Sequence, residues 1–296
     1  MSSTPATGDR AAAFARAYQA AVDRWPVPVT AQQVRTGYGT THALACGPPD
    51  APPVVLLPGG GATAVAWRAL AGGLARGHRV LAVDPPGQPG PGRPGGTPPG
   101  TAADLADWLS QVLDGLAAAP AALAGHSYGA WLALQCALHA PERVARLVLL
   151  DPTDCFAPLS VRYRLRAIPV LARPAASRMR RFLAWETGGR PLDPVWLAVV
   201  AAGQDLGRAS IVAPKRPSPG QLAGLRPPAL VIVAGQSRAH DPRRVARRAR
   251  DQLPGAAIVT LAQASHHSIP VSDAGQLLHH LEPFLNSSPG EPSAAQ

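Results

Sequence analysis

Gly125-His126-Ser127-Tyr128-Gly129 separates two stretches of very different character. The apolar segment Ala121–Ala124 precedes it and predicts a strand, whereas residues 130–138 predict a helix. A serine therefore stands at the apex of a sharp strand–helix turn, and the glycines leave room for a strained apex residue. The pattern predicts a serine oxygen lifted clear of the sheet, followed by a backbone N–H at a helix start.

Short apolar runs alternate with helix-forming segments along most of the chain. Runs at 54–57, 78–84 and 144–150 are typical of parallel strands that are buried on both faces. Further strands are predicted at 229–234 and 256–261, a hairpin at 33–46, and helices at 10–25, 65–76, 101–118, 242–253 and 272–286. This alternation predicts an α/β fold with a mostly parallel, doubly wound sheet flanked by helices.

Residues 152–226 interrupt this pattern, because they are rich in Arg, Pro and Trp and show helical patches without strand alternation. We expect them to form a helical lid inserted into a core of residues 10–151 and 227–286. The Gly- and Pro-dense residues 85–100 predict a loop. Both ends of the chain, residues 1–9 and 287–296, are expected to be disordered.

Composition excludes several classes of function. The formal net charge is +10 over 296 residues, but the arginines are scattered and no nucleic-acid-binding motif accompanies them. No apolar run reaches the roughly 18–20 residues of a membrane span, and charged residues interrupt the N-terminal apolar stretch, so we expect a cytoplasmic protein without a membrane partner. Cys46, Cys136 and Cys155 match neither a disulfide framework nor a zinc pattern, so we expect buried thiols and no metal.

A serine hydroxyl is a weak nucleophile unless a neighbouring base takes its proton. The candidate base is His266, on the loop after the last predicted strand, in Gln263-Ala264-Ser265-His266-His267. The alternative interpretation is an ordinary surface-loop histidine.

Attack by a serine on a carbonyl also requires donors for the developing oxyanion. The first is the N–H of Tyr128, directly after Ser127. The second is expected from Pro58-Gly59-Gly60-Gly61-Ala62, because backbone N–H groups of a glycine loop approach a substrate closely. Gly60 is the first choice and Gly61 the alternative, while a merely flexible turn is the other interpretation.

Together these motifs resemble the α/β-hydrolase superfamily, and within it the single-domain carboxylesterase-like hydrolases of bacteria, over nearly all of residues 10–286. The resemblance rests on the serine turn and on Tyr38-Gly39-Thr40-Thr41-His42, Val54–Thr63, Asp84-Pro85-Pro86-Gly87, Pro141-Glu142-Arg143-Val144 and Ser265-His266. It implies hydrolysis of a small-molecule ester or thioester without metal or organic cofactor. Ser127 would be the nucleophile, His266 the base, and Gly60 and Tyr128 the oxyanion donors.

The chain departs from this family in two places. Relatives usually carry His where this chain has Pro58, and that His braces the oxyanion loop. Relatives also carry an acid about three residues past the Gly that ends the 229–234 strand, where this chain has Arg238. A cation there would repel an imidazolium. An acyltransferase or other non-hydrolytic enzyme, or a weakened ligand-binding protein, is therefore an alternative to the ester hydrolase.

Two carboxylates are candidates for the missing acid. Asp241 lies further along the same loop, although its position before Pro242 also suits a helix N-cap. Asp154 follows the 144–150 strand, where some superfamily members place their acid, although this position is more typical of an ordinary acid in a turn. Asp151 is expected to be structural. Without any acid, a Ser–His dyad remains.

The aromatic residues of the inserted segment line an apolar substrate pocket or form the core of the lid itself. They are Phe156, Tyr163, Phe182, Trp185 and Trp196. Three arginines favour an anionic substrate or simply face water: Arg162, Arg164 and Arg166.

Overall fold

The computed structural model describes residues 7–207 and 210–287. Within these residues nine strands form one sheet: β1 (Val29–Thr36), β2 (Gly39–Cys46), β3 (Pro53–Leu57), β4 (Arg79–Val83), β5 (Arg93–Pro94), β6 (Ala121–His126), β7 (Val144–Leu150), β8 (Ala229–Ala234) and β9 (Ala257–Leu261). The α-helices of the same residues are α1 (Thr7–Val22), α2 (Arg68–Leu74), α3 (Ala102–Gly115), α4 (Tyr128–His139), α5 (Val161–Ala172), α6 (Ala176–Glu186), α7 (Pro194–Asp205), α8 (Pro219–Ala223), α9 (Pro242–Gln252) and α10 (Ala274–Asn286).

The strand order is β1-β2-β4-β3-β6-β7-β8-β9, and β5 pairs with β2. The six strands β3, β4 and β6 to β9 run parallel, whereas β1, β2 and β5 pair in antiparallel fashion. Every residue of β6 and β8 is buried, as expected of central strands covered on both faces. The mostly parallel, doubly wound sheet predicted from the sequence is confirmed.

Helices cover both faces of the sheet. One apolar cluster packs α3, α4 and α9 against it and includes the fully buried Trp108 and Trp131. The opposite cluster packs α1, α2 and α10 and includes the fully buried Trp67. Since aromatic side chains bury the largest apolar areas, these residues fix how the helices lie against the sheet.

Several boundaries differ from the predicted ones. Residues 7–9 of the expected disordered N-terminus belong to α1, where Asp9 in the first turn suits the positive end of the helix dipole. The remaining residues of the two expected disordered ends, 1–6 and 288–296, lie outside the described residues. The hairpin of β1 and β2 begins at Val29, and the short strand β5 lies inside the segment that the sequence predicts as a loop.

The segment between β7 and β8 contains α5, α6, α7 and α8, and no strand occurs among its described residues. Part of it, together with Ala66 and Val271, forms a small separate apolar cluster around Phe182, Leu183 and Trp196. In the described parts of the chain, no helix has both the length and the apolar character needed to cross a bilayer.

Candidate active site

Ser127 joins β6 to α4 in a strained backbone conformation, with φ +55° and ψ −115°. The flanking glycines are required by close backbone approach. A Cβ on Gly125 would lie 2.1 Å from the carbonyl oxygen of Gly129, and one on Gly129 would lie 2.1 Å from that of Leu57. The tight turn leaves Ser127 partly exposed at the carboxyl edge of the sheet, between a buried strand and a helix N-terminus.

His266 lies on the loop between β9 and α10, and this loop brings it next to Ser127. Its Nε2 is 2.9 Å from Ser127 Oγ, although 139 residues separate the two in the chain. Its Nδ1 is 2.6 Å from Oδ2 of Asp151. With Nδ1–H donating to this carboxylate, Nε2 is left as the acceptor for the serine hydroxyl. The imidazole is thus oriented to take the Ser127 proton.

Asp151 directly follows β7 in a left-handed conformation, with φ +40°, and is completely buried. Its Oδ2 accepts hydrogen bonds from His266 Nδ1 and from the Ser237 hydroxyl at 2.8 Å. Its Oδ1 accepts from the backbone N–H of Ala234 at 3.0 Å and faces His240 Nε2 at 2.9 Å. Burial alone would raise the pKa of Asp151, but His240 and His266 outweigh it and hold the pKa well below its usual range.

The expected contact between Asp241 and His266 does not form, and Asp151, which we expected to be structural, takes that position. Asp241 is exposed and caps α9, because its Oδ1 accepts the N–H groups of Arg243 at 3.0 Å and Arg244 at 3.2 Å. Capping satisfies two of the free N–H groups at the helix start, so its carboxylate is held away from the histidine.

Asp154 and Arg238 also lie differently from what the sequence suggests. Asp154 borders the cavity beside Ser127 but makes no hydrogen bond to His266, and burial raises its pKa. Arg238 does not confront His266, because its guanidinium binds the backbone carbonyl of Trp185 and lies 5.4 Å above the centre of that indole ring. The guanidinium of Arg238 is therefore engaged by Trp185.

Gly60 and Tyr128 both border the cavity at Ser127, and a Cβ on Gly60 would lie 3.7 Å from Cβ of Tyr128. The N–H of Gly61 is already engaged, since it donates to Oε1 of Gln88 at 2.6 Å. Among the described residues, no acceptor is found for the N–H of Gly60 or of Tyr128. The geometry therefore favours Gly60 over Gly61 as an oxyanion donor.

The glycine loop after β3, which begins with Pro58, is held by side chains of the segment after β4. Gln88 holds it through Gly61, and Asp84 holds its far end by accepting the N–H of Ala64 at 2.7 Å. The carboxylate of Asp84 is buried. Two side chains of the segment after β4 thus hold this loop in place.

Glu186 is a site residue that sequence reasoning missed. Its buried carboxylate accepts the backbone N–H of His266 at 3.0 Å, of His267 at 3.1 Å and of Arg238 at 3.3 Å. Burial opposes its ionisation, but His267 and His266 outweigh burial and lower the pKa of Glu186. A lone Glu at the end of a helix in the inserted segment carries no sequence signal for this anchoring role.

Two further histidines surround His266. His126 Nε2–H donates to the backbone carbonyl of His266 at 2.8 Å, and burial with the neighbouring His266 and His267 puts its pKa well below the usual value. Burial and His266 lower the pKa of His267 to about 4. Both imidazoles are therefore uncharged at neutral pH and add no positive charge beside His266.

A cavity of about 230 Å³ opens beside Ser127. The glycine loop and the serine turn form one side of it, and the other side comes mainly from the inserted segment, including Leu159, Tyr163, Met179, Leu183, Trp196 and Val200. Of the five aromatic residues singled out in the sequence, Tyr163 and Trp196 line this cavity. Phe156 instead belongs to the main core, and Phe182 packs against Trp185 with ring centres 5.8 Å apart.

The arginines of α5 face water rather than the cavity, since Arg162, Arg164 and Arg166 are all exposed. Arg162 and Arg166 lie over the ring of Trp185 at 5.7 and 5.4 Å. They therefore place no cation among the residues that line the cavity.

Comparison with known proteins adds to this geometry. A model of the alpha/beta hydrolase family matches residues 54–279. The carboxylesterase nap of Bacillus subtilis is 28% identical over 280 residues, which cover 90% of each chain. The carboxylesterase YbfK of the same organism is 34% identical over 192 residues, covering 64% of this chain and 63% of the relative.

Solved structures agree with these matches. That of naproxen esterase (carboxylesterase NP) from Bacillus subtilis superimposes with a TM-score of 0.87 at 25% identity, covering 96% of this chain and all, 100%, of the other. That of carboxylesterase CesB (YbfK), also from Bacillus subtilis, gives a TM-score of 0.88 at 25% identity and covers 95% of this chain and 100% of the other.

Proposed function

Because the chain belongs to the α/β-hydrolase family, we propose that it is a serine hydrolase that cleaves a carboxylic ester or thioester through an acyl-enzyme on Ser127. The observation that carries the proposal is the continuous contact from Ser127 through His266 to Asp151, at 2.9 and 2.6 Å, beside an apolar cavity. The names of the similar proteins nap, YbfK and naproxen esterase support ester hydrolysis as the reaction.

In the acylation half, Ser127 Oγ attacks the carbonyl carbon of the substrate while its proton passes to Nε2 of His266. Asp151 stabilises the imidazolium that forms. The carbonyl oxygen becomes an oxyanion that accepts hydrogen bonds from the N–H groups of Gly60 and Tyr128. When the tetrahedral intermediate collapses, His266 returns the proton to the leaving alkoxide or thiolate, and the acyl group remains on Ser127.

Deacylation repeats these steps with water. His266 Nε2 takes a proton from a water molecule, whose oxygen attacks the acyl carbon, and the same two N–H groups stabilise the second oxyanion. Collapse then breaks the bond to Ser127 Oγ, which takes the proton from His266. The carboxylic acid leaves, and no metal or organic cofactor takes part in this scheme.

We propose a compact, uncharged ester as substrate, with residues 152–226 acting as the lid. The cavity of about 230 Å³ lies below the roughly 300–1,000 Å³ of drug-sized ligand pockets. Its walls beside Ser127 are largely apolar, and the arginines of α5 point away from it. The cytoplasmic location expected from the sequence stays a prediction.

An acyltransferase and a weakened ligand-binding protein are considered as alternatives because Arg238 stands where an acid is expected. Since Asp151 supplies a carboxylate to His266, this reason for an acyltransferase or a weakened ligand-binding protein no longer applies. We therefore retain hydrolysis as the single proposed activity.

Hydrolysis of a series of p-nitrophenyl esters with increasing acyl length tests the proposal. We expect saturable turnover by the wild type, with a burst of about one p-nitrophenolate per chain for esters whose acyl-enzyme is hydrolysed more slowly than it forms. Ser127→Ala should reduce the rate to background. Ser110→Ala, which removes a hydroxyl bonded within α3, is the matched control and should remain active. Unchanged turnover in Ser127→Ala would overturn the proposal.

A further inference from the structure

The loop between β8 and α9, residues 235–241, does not supply the carboxylate that contacts His266 but surrounds that of Asp151. Two of its side chains, Ser237 and His240, converge on the carboxylate of Asp151. Asp151 comes from the neighbouring strand end, and its carboxylate therefore lies between two imidazoles. Oδ1 is 2.9 Å from His240 Nε2 and Oδ2 is 2.6 Å from His266 Nδ1, with the two ring centres 6.2 Å apart.

Among the described residues, the side chain of His240 makes no polar contact other than that with Asp151. Its side chain has an exposed fraction of 0%, and its Nδ1 is buried without a hydrogen-bond partner in the part of the chain that the structure describes. A buried polar group normally finds a partner, so an imidazole that uses one nitrogen alone is held there for that one contact. That contact is with Oδ1 of Asp151.

The loop that carries His240 is itself fixed. The carbonyl of Ala239 accepts the N–H of Ser160 at 2.7 Å, and that of Arg238 accepts the Ser160 hydroxyl at 2.9 Å. The N–H of Arg238 donates to Glu186, which also anchors the backbone of His266. The two histidines therefore share one anchor, and their separation across Asp151 is preserved.

We propose that His240 is a positioning residue of this active site, which holds the Asp151 carboxylate ionised and in the plane that directs Oδ2 at His266. This inference rests on the proposed hydrolysis. Without the donor on Oδ1, only the N–H of Ala234 would satisfy that oxygen, and a buried carboxylate with too few donors rotates or takes up a proton. Either change weakens the support for His266 when it receives the Ser127 proton.

At a pH above its own pKa, His240 is an uncharged imidazole whose Nε2–H donates to Oδ1 of Asp151. The titratable groups that face it are Asp151, Asp154, Asp241 and His266. Burial opposes its protonation, but Asp151, with Asp154 and Asp241 behind it, raises the pKa of His240 above the usual value. Once His240 is protonated, its charge neutralises Asp151, and a second cation on His266 becomes unfavourable. Activity is therefore lost as the pH falls through this raised pKa.

Two substitutions separate positioning from packing. In His240→Leu the donor is absent, and we expect kcat to fall about tenfold or more, the cost of one hydrogen bond to a charged group, with KM within about twofold. His240→Gln keeps an uncharged N–H, so kcat should stay within about threefold at about pH 8. In the pH profile of kcat for this variant, the fall in activity on the acid side should move to lower pH, because the imidazole of His240 is absent. His279→Gln, an exposed histidine of α10, is the matched control.

A measurement independent of turnover separates this inference from the proposed function. Nδ1–H of His266, bound to Asp151, should give a far-downfield proton resonance that persists in His240→Gln and shifts or disappears in His240→Leu. If the wild type neither hydrolyses esters nor reacts with a fluorophosphonate, the proposed hydrolase function is wrong. The resonance of His266 Nδ1–H would still test the geometry around Asp151. A folded His240→Leu variant with unchanged kcat, pH profile and resonance would overturn the inference. If that variant does not fold, an unmoved acid limb in His240→Gln overturns it.

Discussion

Replacement of Asp151 by Asn removes the negative charge that contacts His266, whereas the volume of the side chain is preserved. The carboxylate accepts four hydrogen bonds, from His266, Ser237, Ala234 and His240. The asparagine oxygen can accept two of them, so the amide NH₂ must face the other two donors. If the NH₂ faces His266, it donates to Nδ1 and moves the imidazole proton to Nε2, which then cannot accept a proton from Ser127.

The expected losses are large for both activity and stability. A wrong histidine tautomer costs on the order of 10⁴ in kcat. Two lost charge-assisted hydrogen bonds in a buried site cost about 3–5 kcal/mol in the free energy of unfolding. Asp241→Asn changes an exposed helix cap and should leave kcat within about threefold, at a stability cost of about 1 kcal/mol or less.

The assay combines p-nitrophenyl ester turnover with urea unfolding of each variant. Turnover is measured at low temperature, where Asp151→Asn remains folded by circular dichroism. If folded Asp151→Asn keeps kcat within about tenfold of the wild type, Asp151 does not support His266 in this way. An Asp241→Asn variant that is more impaired than Asp151→Asn would restore the acid assignment that the sequence suggests.

Three further predictions concern the surroundings of the site. Glu186→Gln should lower the free energy of unfolding by about 1–3 kcal/mol, because an NH₂ group would replace one of the two oxygens that together accept three backbone N–H groups. Unchanged urea unfolding would contradict the anchoring role of Glu186. Gly129→Ala should lower the free energy of unfolding by about 3 kcal/mol or more, because the new Cβ would lie 2.1 Å from a backbone oxygen. Gly60→Ala is the control and should melt like the wild type, because its Cβ would have 3.7 Å of space. Equal melting temperatures of the two variants would be inconsistent with this geometry. The pKa of His267 in the folded protein is about 4, below the ordinary 6.5, so the folded state favours the uncharged imidazole. Its contribution to the free energy of unfolding is therefore complete above pH 6.5 and is lost as the pH falls towards 4, at up to about 1.4 kcal/mol per pH unit. Urea unfolding of His267→Gln should show a weaker pH dependence in this window, and an unaltered slope would refute the assignment.

Local sequence patterns predicted what depends on consecutive residues. The turn around Ser127 could be predicted because its glycines, strand and helix adjoin one another in the chain. The position of His266 beside Ser127 could be predicted because it follows the last strand of an alternating pattern. The sheet followed from its continuous apolar runs, whose burial on both faces leaves a clear compositional mark.

The acid could not be predicted in this way, because it depends on which strand ends are neighbours. β7 lies between β6 and β8, so Asp151 at its carboxyl end reaches both the histidine and the loop after β8. The available signal was a polar residue directly after a buried strand that borders the serine strand. Glu186 and His240 left no signal, because their roles depend on contacts between the inserted segment and loops distant in sequence.

Activation of Ser127 by His266 can be measured by peptide mapping after reaction with a fluorophosphonate. We expect one phosphonylated peptide in the wild type, modified at Ser127, and no measurable adduct in folded His266→Ala over the same reaction time. An adduct at another residue, or equal labelling of Ser127 in the absence of the imidazole, would contradict it.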